Sequence, residues 1–443
     1  MKGISRRTFL KAISSTASMA ALGTLLPRFV YAQAASNLRR NVVLVNLNGG
    51  IDGLGAFPIY TGLESLAVNS YRPDIHIPAS EVIKDGLGGR SLRGLHPSFS
   101  TLHSELQGKY ALIQQIGIPI YPGASHGVCQ KIYSIGEQTG INNKTGFIGK
   151  VMDERRLDSF QVLGLGVGRK RDFITQNEPP LIISSLASYN HVNRNFGTRV
   201  NFRDNSNRAV SSDGIKDSNL VQDFQKRLDA IQEIDTDAES LLSGSYDSIT
   251  NSVAFVQQIA TQAITGNYNR QLTSGVSTFG NRCKDAAKVL RFLDRTPSTR
   301  NKSRVIYLEK GGWDTHGNQV ESHRANIDDL GSSLRGLVQD LKAGGAWNNT
   351  VIYVFSEFGR TTRQNGGLGT DHAYANTHLL MGGRVRHELH GAFPLLAELL
   401  NENRLSVDID FRRPLLEIFN WAGFNVNDLI EEAHDSTPLG LFT

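Results

Sequence analysis

Short runs of apolar, largely β-branched residues recur along the chain, and each ends in a Gly-rich or polar turn. They are NVVLVNL (41–47), YALIQQIG (110–117), FQVLGLG (160–166), PLIISS (180–185), SRVIYLEK (303–310), TVIYVFS (350–356) and THLLMGG (377–383). Several are apolar without alternation, which predicts strands covered on both faces. Segments with helical spacing lie between them: HPSFSTLHSEL, CQKIYSIGEQ and the long VESHRANIDDLGSSLRGLVQDLKA. FRRPLLEIFNWAGF supplies a closing helix. Strand and helix in alternation predict an α/β fold, a doubly wound, mostly parallel sheet flanked by helices.

One segment breaks the alternation. Residues 186–219 are polar and rich in Asn, Arg, Ser and Asp, and 220–296 read as two or three helices with few strand signals. The expectation is a polar loop and a mainly helical insertion over about 187–300, set into an α/β domain spanning 35–443.

The first residues change the picture of compartment and charge. ISRRTFLK pairs Arg6 and Arg7 ahead of Phe9, Leu10 and Lys11, a mild Ser/Thr/Ala-rich stretch follows to Leu26, and Ala32-Gln33-Ala34 suits a peptidase. The stretch is short and hydroxyl-rich for a membrane anchor. Residues 1–34 therefore read as a twin-arginine signal peptide, recognised by that translocase and removed, with a periplasmic or secreted product. The chain has 47 Lys+Arg and 42 Asp+Glu, and the leader holds five of the basic residues and no acid, which leaves 42 of each. That balance gives no electrostatic case for nucleic acid or an anionic membrane as partner. Two cysteines, Cys129 and Cys283, are too few for a framework; they either pair after export or stay as buried thiols.

Ligands of an open α/β sheet bind at the carboxyl ends of its strands. After VVLVNL comes NGGIDGL with Asp52; after RVIYLEK comes GGWDTHGNQ with Asp314 and His316; after VIYVF comes SEFGRT with Glu357 and Arg360. The following loop adds Asp371, His372 and His378, and GASHGVCQ after the second run adds Ser125, His126 and Gln130. Each of these alone reads as a turn, since Asp and Gly favour turns for their own reasons. Four strand ends carrying such residues are explained together by one polar site.

Carboxylates and imidazoles from several loops suit a divalent metal, with zinc first and manganese or calcium as alternatives. The expected ligands are Asp52, Asp314, His316, Glu357, Asp371 and His372. Two ions close together would hold a phosphoryl or sulfuryl group, Arg360 would bind the oxyanion, and Ser125 or a water would attack. His126 is left open as a ligand, a base or part of a tight turn.

ISRRTFLK, NLNGGIDGL, GLHPS, GASHGVCQ, TGFIGK, GGWDTHGNQ, SEFGRT and GTDHAYANTHLLMGG, in that order, resemble a large bacterial family of twin-arginine-exported proteins of unknown function. The family is similar, more distantly, to the alkaline phosphatase and sulfatase superfamily. That resemblance implies an alkaline-phosphatase-like sheet with a two-metal site. Asp52 would correspond to the first-strand aspartate, Asp314 and His316 to the Asp and His after a middle strand, Glu357 to the acid of an Asp-His pair, and His372 to a late histidine. Glu357-Phe358 departs from the Asp-His pattern, so His372 or His378 would have to replace an imidazole. Neither CQKIY nor CKDAA offers the motif for formylglycine, which sets aside a sulfatase of that kind.

The expected function is a metal-dependent hydrolase of a small or polymer-linked phosphate or sulfate ester. The alternative is a non-catalytic metal-binding or scaffold protein of the cell envelope, and the resemblance also implies an exported protein partner. Trp313 is expected to wall the site or pack the core, and His96 to cap a loop.

Overall fold

A computed structural model describes residues 39–186 and 258–443, apart from 88–91, 121–122, 142–144, 159–160, 168–170, 174, 176–179, 184 and 433. The expected signal peptide, 1–34, and most of the expected insertion, 187–257, lie outside the described residues.

The apolar runs form strands: β1 (Asn41–Leu47), β2 (Tyr110–Gly117), β3 (Val162–Leu165), β4 (Leu181–Ile183), β5 (Arg304–Lys310), β6 (Thr350–Phe355) and β7 (Asn376–Gly382), with short β8 (Leu389–His390) and β9 (Ile409–Asp410). They make one sheet in the order β4-β3-β5-β1-β6-β7-β2-β8, with β9 also on β2. Every strand pair is parallel except those of β7, which runs antiparallel to both β6 and β2. The sheet is therefore mixed, with one reversed strand, and THLLMGG carries no sign of that reversal, because an apolar run reads alike in both directions.

Two core layers sit on opposite faces, as strand alternation requires. Val43, Val45, Leu47, Ile306 and Leu308 face one side; Val42, Leu44, Val305 and Tyr307 face the other. The first layer is covered by helices α3 (Ser100–Leu106), α6 (Thr278–Arg295) and α7 (Gln319–Ala343), through residues such as Leu102, Phe279, Ile327 and Leu330. The second is covered by α4 (His126–Ile135), α5 (Phe147–Arg155) and α9 (Arg412–Trp421), through Ile132, Val151 and Phe419. Further α-helices are α1 (Gly53–Ala56), α2 (Gly62–Tyr71) and α8 (Leu396–Asn401). Helices on both faces of a mostly parallel sheet make the fold doubly wound. Each large apolar side chain enclosed this way contributes about 1.5–3 kcal/mol.

The expected helices fall where the spacing places them, with the long one starting at Gln319 and HPSFSTLHSEL splitting into a 3₁₀ turn (Pro97–Phe99) and α3. Both cysteines are unpaired and buried, Cys129 in one core layer and Cys283 in the other. A disulfide would have to pass through the sheet. Among the described residues no helix is long and apolar enough to cross a membrane.

Candidate metal centre

Three loops meet at the carboxyl ends of the central strands β5, β1 and β6. The chain after β1 touches the chain after β5 backbone to backbone, with Trp313 N donating to Asn48 O at 3.4 Å. The contact needs glycine: Gly49 has φ +123°, and a Cβ there would lie 2.5 Å from Asp314 N. The chain after β6 joins through Thr370 N, which donates to Thr315 O at 3.1 Å. Because β7 is reversed, its amino end returns to this same edge and delivers Asp371 and His372.

Arg360 holds the three loops together from within. Its Nε donates to Gly50 O at 2.7 Å and its Nη1 to Thr370 O at 2.9 Å. Its Nη2 donates to Gly49 O, to Trp313 O at 3.1 Å and to Asp314 Oδ1 at 2.6 Å. The side chain is buried, so the guanidinium faces carbonyls and Asp314 rather than open space. The expected oxyanion grip is replaced by an internal clamp.

Three imidazoles converge on Asp314, each with its Nδ1 turned outward to an oxygen. His126 Nδ1 donates to Glu357 Oε1 at 2.9 Å, His316 Nδ1 to Asp371 Oδ1 at 3.0 Å, and His372 Nδ1 to Ala124 O at 2.8 Å. Carboxylates and carbonyls only accept, so the Nδ1 positions carry protons, and a ring with no second proton points an Nε2 lone pair inward. His316 Nε2 and His372 Nε2 lie 3.0 Å apart, and each is 3.0 Å from Asp314 Oδ1. His126 Nε2 has no hydrogen-bond partner and lies 3.5 Å from Asp314 Oδ2. Ligand atoms of His126, Asp314 and His372 all lie within 4.8 Å of one another.

Lone pairs facing each other at these distances repel unless a cation, or an added proton, lies between them. The group whose ligand atoms are close enough to share one ion is His126, Asp314 and His372; His316 Nε2 adds a contact of 3.0 Å to Asp314 Oδ1, against about 3.3 Å between neighbouring ligand atoms of a tetrahedral site. Burial opposes ionisation of Asp314, yet the Arg360 and His372 hydrogen bonds hold its carboxyl well below the usual range. Burial likewise opposes ionisation of Glu357, and the His126 hydrogen bond leads the contacts that hold it low. The same bond to Glu357 raises His126 against its partial burial. Asp371 is lowered chiefly by the Asn365 hydrogen bond.

The expected ligands thus divide. Asp314, His316 and His372 come together. Glu357 and Asp371 stand behind histidines and orient them, the arrangement that metal-binding imidazoles require. Asp52 is elsewhere engaged: it caps α1 through Leu54 N at 3.2 Å, pairs with Arg72 at 2.7 and 3.1 Å, and accepts from Gln319 Nε2 at 2.6 Å. Arg72 stands where a second cation on Asp52 would have to bind. Ser125 is the exposed N-cap of α4, one residue before His126. His126, open between ligand, base and turn on sequence grounds, joins Asp314 and His372 in the cluster; its signal is a His after a strand that also opens a helix. His378 is buried against Tyr353 Oη at 2.7 Å, Trp313 packs in the core, and His96 caps the 3₁₀ turn by accepting from Ser98 N.

The centre is open: the side chains of Asp314, His316 and Asp371 are 48%, 47% and 54% exposed. Beside it, a cavity of about 320 Å³ is lined by Asn46, Gln130, Tyr133, Tyr307 and Glu357 among others.

Fold and site together define a doubly wound α/β protein with a histidine-rich candidate metal centre at its strand ends. The chain belongs to the family described as protein of unknown function (DUF1501), whose family model matches residues 142–412. No curated protein sequence matches it. Among solved structures it is similar to the lipoteichoic acid synthase LtaP from Listeria monocytogenes, at 8% identity over 90% of this chain and 79% of that one, with a TM-score of 0.38. It is also similar to the C-terminal periplasmic domain of EcEptC from Escherichia coli in complex with Zn, at 10% identity over 92% and 93%, TM-score 0.35. A third is alkaline phosphatase from the Antarctic bacterium TAB5, at 10% identity over 82% and 96%, TM-score 0.32.

Proposed function

We propose that the protein is a zinc-dependent hydrolase of a phosphate or sulfate ester, exported by the twin-arginine pathway to the periplasm or beyond. The observation that carries this reading is the convergence of His126, His372 and Asp314, with His316 Nε2 3.0 Å from both His372 Nε2 and Asp314 Oδ1, each ring fixed by an oxygen behind it, on an open surface. Three nitrogens and one oxygen suit zinc, tolerate manganese and are a poor set for calcium, which takes oxygen ligands.

A divalent cation held there would supply Lewis acidity and lower the pKa of water toward neutrality. The chain's own residues do the rest. His126, His372 and Asp314, with His316 beside them, would hold the ion; Glu357, Asp371 and the Ala124 carbonyl fix the rings. Helix α4 begins at His126, so the positive end of its dipole adds to the attraction for an oxyanion. Ser125, at the same helix terminus, is the candidate nucleophile if a side chain rather than water attacks. The openness of the centre suits an ester carried on a polymer as well as a small one.

Metal analysis of protein isolated from cells, with assays on phosphate monoester, phosphodiester and sulfate ester chromogens, tests the reading. One zinc per chain and turnover lost in Asp314→Ala are expected. Turnover that persists in metal-free protein, or in that variant, overturns it.

A second reading keeps the metal and drops the chemistry. The enclosed Arg360 favours it, since no guanidinium from that position reaches a substrate. The protein would then serve as a metal-bearing scaffold of the envelope for an exported partner. Stoichiometric zinc without turnover, together with a stable partner recovered from periplasmic extract, is the outcome that selects it.

A further inference from the structure

We propose that Gln319 is a positioning residue of the metal centre, setting both ligand-bearing loops in register through their threonines. The inference rests on the metal reading above and concerns a residue outside the donor set. Gln319 opens α7 and is buried. Its Oε1 accepts from Thr315 Oγ1 at 3.0 Å and from Thr370 Oγ1 at 2.7 Å, while its Nε2 donates to Asp52 Oδ2 at 2.6 Å. These partners admit one amide orientation, with the oxygen to the hydroxyls and the nitrogen to the carboxylate.

The two threonines occupy equivalent places. Thr315 lies between Asp314 and His316, and Thr370 immediately precedes Asp371 and His372. Both threonines are buried, whereas Asp314 and His316 are half-exposed at the centre. Each loop therefore turns one hydroxyl inward to the same oxygen and its ligands outward. The main chain repeats the connection: Thr370 N donates to Thr315 O at 3.1 Å, and Gln319 N donates to Leu368 O at 2.9 Å. Space between the loops is so short that a Cβ on Gly369 would lie 2.4 Å from His316 C.

Behind Gln319 the anchor is rigid. Asp52 is held by Arg72, whose Nε donates to Thr362 O at 2.9 Å and Nη2 to Thr361 O at 2.5 Å. Thr361 N in turn donates to Asp371 O at 2.9 Å. One amide thus refers His316 and His372, whose Nε2 atoms are 3.0 Å apart, to a common fixed point. Supporting residues of this kind change metal affinity about 10–100-fold.

The test compares Gln319→Met, Thr315→Val, Thr370→Val and the hydroxyl-preserving Thr315→Ser and Thr370→Ser in the full mature chain. Zinc affinity is read by competition with a chromogenic chelator, and site geometry by the visible spectrum of the cobalt-substituted protein. Gln319→Met and the valine variants are expected to lose at least 10-fold in zinc affinity and to alter the cobalt spectrum, while the serine variants stay near the parent. A fold made weaker but otherwise unchanged would not separate serine from valine in the spectrum. Parent-like zinc affinity and spectra in the valine variants overturn the inference, even if Gln319→Met fails to fold. A parent protein that binds neither zinc nor cobalt overturns the metal reading first, and this inference with it.

Discussion

Glu357 accepts the Nδ1 proton of His126 at 2.9 Å and, on the same oxygen, the backbone N–H of Gly49 at 2.9 Å. A carboxylate placed after β6 thereby joins the helix after β2 to the loop after β1. Its oxygens are occupied by protein donors, including Gln130 Nε2 at 3.1 Å and Ser356 Oγ at 3.0 Å. Glu357→Gln keeps the size of the side chain but removes the charge that favours the required tautomer of His126. Zinc affinity measured by chelator competition is expected to fall about 10–100-fold, with one ion still bound at saturation. Loss of stoichiometry would make Glu357 a ligand rather than a support.

Asp52 and Arg72 are both about 1% exposed and paired at 2.7 Å. Removing one partner strands the other charge, so Arg72→Met is expected to cost about 3–5 kcal/mol in urea unfolding. Asp52→Asn, which preserves an acceptor for Gln319, should bind one zinc while losing stability. Zinc abolished in Asp52→Asn at full folding would restore Asp52 to the ligand set.

Three buried histidines outside the donor set predict acid sensitivity. Burial pushes His96 down to about 3, His323 to about 4 and His378 to about 3. All three are neutral in the fold, and the unfolded chain titrates near pH 6.5. Above that pH neither state takes the proton, and stability is unaffected by it. As pH falls from about 6.5 toward 4, only the unfolded chain gains protons and stability is lost, by about 2 kcal/mol per histidine at pH 5. Urea midpoints from pH 7.5 to 4.5 should fall accordingly, and His378→Gln should flatten the slope. A flat profile in the parent would contradict the assignment.

Burial raises the thiol of Cys129 to about 12 and that of Cys283 well above its usual value. Neither thiol is expected to react with a disulfide reagent in the native protein, and two should react after denaturation. Reducing agent should leave the melting temperature unchanged. Fewer than two thiols in the denatured, unreduced chain would require a disulfide across the sheet.

The sheet was largely legible because its central strands are enclosed on both faces, and continuous apolar runs such as Asn41–Leu47 and Thr350–Phe355 reveal that directly. Asp314, His316 and His372 were legible for a related reason: strand ends locate chemistry even when a single residue does not. What escaped was pairing at long range. Whether an acid binds metal or backs a histidine depends on which atom faces it, and Glu357 meets His126 across 231 positions. Asp52 looked like a ligand until its partner was visible, because Arg72 reaches it by folding of α2 rather than by any local motif. The direction of β7 was hidden too, since pairing register is not written in hydrophobicity alone.

That reversal has a further consequence. The segment from β6 to β7 leaves and re-enters through adjacent strands, and its arms stay paired well beyond the sheet: Ala373 N donates to Gly359 O at 2.8 Å, and Arg360 bridges His372. His372 is therefore carried on a closed arm of fixed circumference, while His316 is carried on the segment from β5 to α7, which is tied to that arm through Thr315, Asn318 and Gln319. Even the arm's tip is fixed, since Gly367 O and Leu368 O accept from Asn318 N and Gln319 N. A single residue added between His372 and β7, on the paired flank that leads back to the sheet, would turn the imidazole to the opposite face, so the length of that flank is itself part of the site's specification.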